Sequence, residues 1–113
     1  MPFLEPADMI HGEPLPGWTG RFFHSENMTF AHYDIAAGAA PLHEHENEQE
    51  EVWNVVEGEL ELIVGGVARR MRAGTAAIVP PHTLHSVRPI GPCRAVIVDY
   101  PLRTSLPGLN RSP

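Results

Sequence analysis

HEHENEQEEVWNVVEG, residues 43–58, holds two histidines and five glutamates in its first nine positions, then reads as a strand that ends on a glycine. From Glu51 onward, alternation sets Glu51, Trp53 and Val55 on one face and Val52, Asn54 and Val56 on the other. Both faces are largely apolar, so the strand is expected to be covered on both sides. The carboxylate that shares a face with Trp53 and Val55 then points into an apolar interior. Burying it unpaired costs several kcal/mol, so it requires a cation or a shifted pKa. His43 and His45, two apart on an extended segment, are expected to share a face. His85 follows Pro80-Pro81-His82-Thr83-Leu84 and opens another short strand. Three imidazoles and one carboxylate suit a first-row divalent metal. Any one of these residues alone has a plainer reading, since a single buried histidine is more often a hydrogen-bonded core residue than a ligand.

Outward from this stretch, twelve prolines and ten glycines punctuate the chain, and no long segment free of them has helical periodicity. The intervening runs look like strands: 21–24, 28–35, 51–56, 59–64, 67–72, 75–79, 85–88 and 94–100. Gly65-Gly66 between two of them is a hairpin signal. Short strands with a turn signal every ~8–12 residues predict an all-β sandwich or barrel. The expectation is a single domain over 1–113, with a core of about 21–103, an extended N-terminal arm over 1–20 and a tail over 104–113.

Composition narrows the function classes. Hydrophobic residues make up 42% and charged residues 19%, which predicts a globular chain. A net charge of -6 argues against nucleic acid or an anionic membrane surface as partner. The single cysteine, Cys93, excludes an internal disulfide and suits a reducing, cytoplasmic setting; it reads as a small buried apolar residue. The N-terminal residues lack the basic and apolar stretches of a signal peptide, and no apolar run approaches a membrane span.

Two ordered motifs resemble those of the cupin superfamily, as small single-domain members carry them. Gly38-Ala-Ala-Pro-Leu-His43-Glu-His45, then Glu51 and Gly58, is similar to the first motif, in which six residues separate a glutamate from a glycine. Gly74-Thr-Ala-Ala-Ile-Val-Pro80-Pro81-His82-Thr-Leu-His85 is similar to the second. The resemblance covers residues 28–100. It implies a jelly-roll barrel, also called a double-stranded β-helix, and a metal held by His43, His45, Glu51 and His85. The run from His45 to the acid is one or two residues longer than the pattern, so Glu50, Glu48 and Gln49 stand as alternatives to Glu51. Glu51 is preferred for its distance to Gly58 and its phase with Trp53. His82 occupies the usual glycine position of the second turn, where a positive φ is expected, and Pro89 replaces a common asparagine.

One divalent transition metal per chain (iron, manganese, nickel or zinc) would leave one or two coordination positions open to a small anionic molecule. Glu44, Glu46, Glu48 and Glu50 would make the mouth negative and favour cation entry. Tyr33 and Trp53 are candidate pocket residues, Arg88 and Arg103 candidate clamps for a substrate carboxylate, and Asn54, Asp99 and Tyr100 further candidates near the site. For each of these, packing or surface charge is the plainer explanation. Two functions follow from different classes. One is a metal-dependent enzyme on a small polar metabolite, either an oxygenase or a non-redox isomerase, lyase or hydrolase. The other is a non-catalytic sugar- or metabolite-binding module with a structural metal. By analogy with the family a homodimer is expected, with the proline-rich arm and the open edge strands as the contact.

Overall fold

The alternating burial of apolar side chains organises eight strands around one core. The structure is a computed structural model that describes residues 2–106. After a 3-10 turn at Pro6–Asp8 come β1 (Ile10–Leu15), β2 (Trp18–His24), β3 (Thr29–Ile35), β4 (Leu42–His45), β5 (Glu50–Val64), β6 (Val67–Arg72), β7 (Ala76–Val79) and β8 (His85–Tyr100). All pairings are antiparallel, in the order β1-β2-β3-β8-β5-β6, with β4 added to β8 and β7 to β5. Among the described residues no helix is long and apolar enough to cross a membrane.

β5 and β8 are the spine. Each spans two of the runs expected from sequence. β5 passes straight through Glu57-Gly58, and β8 through Pro89, Gly91 and Pro92. A bulge on each side of Gly58 allows this. Before it, Glu51, Trp53 and Val55 face inward; beyond it the inward residues are Leu60 and Leu62. The extra residue shifts the phase by one, so a single strand serves both halves of the barrel. Gly58 adopts φ +72, and a Cβ there would run into the Pro92 carbonyl oxygen.

The segment expected to be an extended arm is partly strand: β1 pairs with β2, bringing Ile10 opposite Phe22. β4 was not apparent from the sequence, because four residues with three polar side chains carry no apolar alternation. The expected tail lies, from residue 107, outside the described residues. Inside the barrel Trp18 meets Tyr33 and Trp53 edge-on, with centroids 5.2 and 6.4 Å apart, and Phe22 meets Tyr33 at 5.7 Å. These T-shaped contacts are the favoured aromatic geometry. They leave room beside them for a cavity.

Candidate functional site

A cavity of about 260 Å³ opens inside the barrel between these aromatic rings and a polar wall. Trp18, Phe22, Tyr33 and Trp53 form the apolar side; His45, Asn47, Glu51, Asp99 and Arg103 form the other. Four separate elements supply the polar wall besides Asn47, which lies in the loop between β4 and β5. β4 brings His45, β5 brings Glu51, β8 brings Asp99, and the segment after β8 folds back to bring Arg103. That return is fixed by the Arg103 backbone N–H, which donates to Thr29 Oγ1 at 2.8 Å.

Glu51 is the hub. Its Oε1 accepts from Trp53 Nε1–H at 2.6 Å and lies 3.2 Å from His85 Nε2, while Oε2 accepts from Asn47 Nδ2 at 3.2 Å. Arg103 Nη1 stands 3.8 Å from Oε2 and 3.4 Å from Asp99 Oδ2. Burial by itself would raise the Glu51 pKa. The hydrogen bonds from His85, Asp99 and Trp53 outweigh it and hold the carboxyl below the usual glutamate range. Asp99 moves the other way: burial, then the facing Glu51 carboxylate, push its carboxyl above the ordinary range. Its Oδ1 is buried and has no hydrogen-bond partner among the described residues. Two facing carboxyls cannot both ionise cheaply, so one of the pair holds a proton near neutral pH. Burial and the Glu51 charge also raise the Tyr33 phenol, which therefore stays protonated.

His45 and His85 are set alike. His45 Nδ1–H donates to the His43 carbonyl at 2.9 Å, and His85 Nδ1–H donates to the Thr83 carbonyl at 3.0 Å. A backbone acceptor on Nδ1 fixes the ring and turns Nε2 into the functional nitrogen, the arrangement that metal-bound imidazoles use. The rings lie 4.2 Å apart, and His45 pairs with His85 across β4 and β8. Burial would lower the His85 pKa, but the bonds to Glu51 and Thr83 raise it above the usual imidazole value.

His45, Glu51 and His85 therefore come together. His43 is exposed and does not line the cavity. The register shift between Leu42 and His45 explains this: Leu42 and His45, three apart, both line the cavity, so the alternation expected of His43 and His45 is broken. In donor type the trio suits a divalent ion. In position it is not a finished site, for among the described residues no group of three or more His, Cys, Asp or Glu converges closely enough to hold one. Of the alternative acids, Glu48, Gln49 and Glu50 do not line the cavity. Tyr33, Trp53, Asp99 and Arg103 do. Arg88 is exposed and paired with Glu61 at 3.1 Å, Asn54 donates to the Val96 carbonyl, and Tyr100 is exposed. His82 takes the positive φ expected there, at 58, and its amide donates to the Asn47 carbonyl at 2.7 Å. Asn47, Thr29 and Trp18 were not singled out from sequence. Their roles depend on partners distant in the chain, and nothing in their spacing signals them.

The cupin-domain family model matches residues 30–99, most of the chain and both motifs. The chain belongs to the cupin family. Solved cupins share its fold. KdgF from Halomonas sp. is 22% identical, with 90% of this chain and 94% of that one covered at a TM-score of 0.80. An RmlC-like cupin from Shewanella frigidimarina is 21% identical, with 92% and 94% covered at 0.81. Bacillus subtilis oxalate decarboxylase, a protein with Mn(II) centres, is 15% identical at 0.79; this cupin spans 30% of that chain. A search of curated proteins finds no match to the sequence.

Proposed function

We propose that this cupin is a metal-dependent enzyme acting on a small polar or anionic metabolite. The observation that carries the reading is the cluster on the polar wall: a buried Glu51 in contact with His85, whose ring lies 4.2 Å from that of His45, beside a cavity that also holds a carboxyl pair and a guanidinium. The proposed ligands are His45, Glu51 and His85, with His43, the fourth residue of the motif, outside the cavity in this structure. A divalent ion held there (iron, manganese, nickel or zinc) would supply Lewis-acid polarisation or activate water or oxygen.

The chain's own groups do the rest. Arg103, tethered by Ser105 and Asp99, offers the positive charge for a substrate carboxylate. The unpartnered Asp99 Oδ1 can accept from or donate to a substrate hydroxyl according to which carboxyl holds the shared proton. Trp18, Phe22 and Tyr33 keep water from the opposite face. A cytoplasmic setting and a homodimer belong to the same reading; the lone buried Cys93 supports the first.

One observation favours the non-catalytic ligand-binding module instead: the donors do not converge in this structure. The experiment that separates the two is anaerobic loading with each of the four metals. Oxygen uptake and turnover are then measured against a panel of small hydroxy and keto acids, with binding followed by calorimetry. Metal-dependent turnover of one panel member is expected. Binding without turnover under every metal assigns the chain to the module.

A further inference from the structure

The sequence contains no lysine, so its fixed side-chain cations are all arginines, and acids outnumber them 14 to 8. Arg21, Arg70, Arg72, Arg88, Arg94 and Arg103 are each ion-paired with a carboxylate. Arg69 is the exception: among the described residues it is the one arginine with no ion pair. Its place in the fold is also unusual. On β6 it stands opposite Leu62, between Val67, which faces Val64, and Met71, which faces Leu60. Leu60, Leu62 and Met71 are buried, so alternation puts Arg69 on the inner, apolar face of its strand. Arg70 and Arg72 belong to the other face and reach Glu59 at 3.4 and 3.7 Å. Arg69 borders a second cavity of about 260 Å³, whose apolar walls are Leu62, Val64, Val67, Met71 and Ala77. Its lining holds no acid and shares no residue with the first cavity. Val67, 57% exposed, marks the mouth.

We infer that this second cavity binds a small aliphatic monocarboxylate, its head on Arg69 and its chain along Leu62, Val64 and Met71. Charge selects the head. A planar guanidinium takes a carboxylate through two parallel N–H···O bonds, and one unpaired cation answers one carboxylate. The walls select the body. The other polar groups there are already engaged: Arg70 by Glu59, and Thr75 Oγ1 by the Arg72 backbone N–H at 3.3 Å. A hydroxylated body would therefore lose its water without gaining partners. Volume selects the length. An apolar cavity of about 150 Å³ accepts benzene. By that measure 260 Å³ suits an acid of about eight to ten non-hydrogen atoms, hexanoate to octanoate. None of the proposed metal ligands is used, so the site stands or falls independently of the reading above.

The test is an NMR titration of the protein as purified with hexanoate, octanoate and the neutral hexanamide. The Met71 methyl signal reports the second cavity, and the indole N–H signals of Trp18 and Trp53, the two tryptophans of the chain, report the first. Both acids are expected to shift Met71 saturably, octanoate the more tightly, with hexanamide at least ~10-fold weaker than hexanoate. Arg69→Gln is expected to raise the Kd at least ~10-fold. Arg72→Gln removes the same charge from the opposite face of the strand and is expected to leave the Kd within ~2-fold. Circular dichroism checks that each variant folds. No Met71 shift by about 10 mM octanoate overturns the site, and so does a shift confined to the indoles, which places the acid in the first cavity. A folded Arg69→Gln that binds as tightly as wild type overturns it too, leaving Arg69 as an inward charge that blocks pairing at an edge strand. Should Arg69→Gln fail to fold, hexanamide binding as tightly as hexanoate overturns the carboxylate.

Discussion

Trp53, Asn47 and His85 all direct polar hydrogen-bonding atoms at one carboxylate, and this is how a buried Glu51 keeps its charge. The Trp53 bond, at 2.6 Å, is the shortest of the three. Trp53→Phe preserves most of the packing and removes the donor. It should cost about 1–3 kcal/mol in denaturant unfolding, the penalty for a buried acceptor losing its partner. Arg103 has a different task, neutralising two facing carboxyls at 3.4 and 3.8 Å from a side chain only 16% exposed. Arg103→Gln should destabilise by about 3 kcal/mol, because it leaves buried negative charge unanswered. Adding Asp99→Asn should not restore it near neutral pH, because Glu51 carries the charge that the pair keeps, and recovery in the double mutant would contradict that assignment. At this scale the sequence was informative about Glu51, whose phase with Trp53 and distance to Gly58 both chose it over its glutamate neighbours. It was silent on Asn47 and Thr29, whose partners are chosen by tertiary folding.

Strand pairing explains where the chain can bend. Gly58 sits opposite Cys93 between two bulges, at a positive φ, with the Pro92 carbonyl where a side chain would begin. Gly58→Ala should therefore cost about 3 kcal/mol or more, read as a fall in unfolding midpoint, since both backbone strain and a backbone clash oppose it. Beside it, burial pushes the Cys93 thiol up to about 11, from 9.0. The folded state thus holds this proton more tightly than the unfolded chain does. Its contribution is complete below pH 9 and is lost between pH 9 and about 11. Stability should decline over that window, and Cys93→Ala should remove the part that begins near pH 9. Tyr33, raised by burial in the same sense, adds to the decline above about pH 10. Most strands were legible because their apolar residues alternate. β4 was not, and the bulge that separates His43 from His45 has no local sequence signal: two residues apart reads as one face unless the pairing partner forces an extra residue into the strand.

The whole molecule turns that alternation into a site. The inner faces of β2, β3 and β5 supply aromatic packing, and β4, β5 and β8 deliver His45, Glu51 and His85 to one side of it. The fold class was readable from strand spacing and two motifs. The second cavity became visible only when register set Arg69 opposite Leu62 on the inner face of β6. The central claim is that these three residues bind one divalent ion, and metal content tests it most directly. Protein purified without chelator is loaded with excess zinc or manganese, desalted and analysed for bound metal, with circular dichroism as a check on folding. The account predicts about one equivalent in the wild type and less than about a tenth in folded His45→Ala and His85→Ala. Less than a tenth in the wild type under either metal, or full occupancy in both variants, would contradict it.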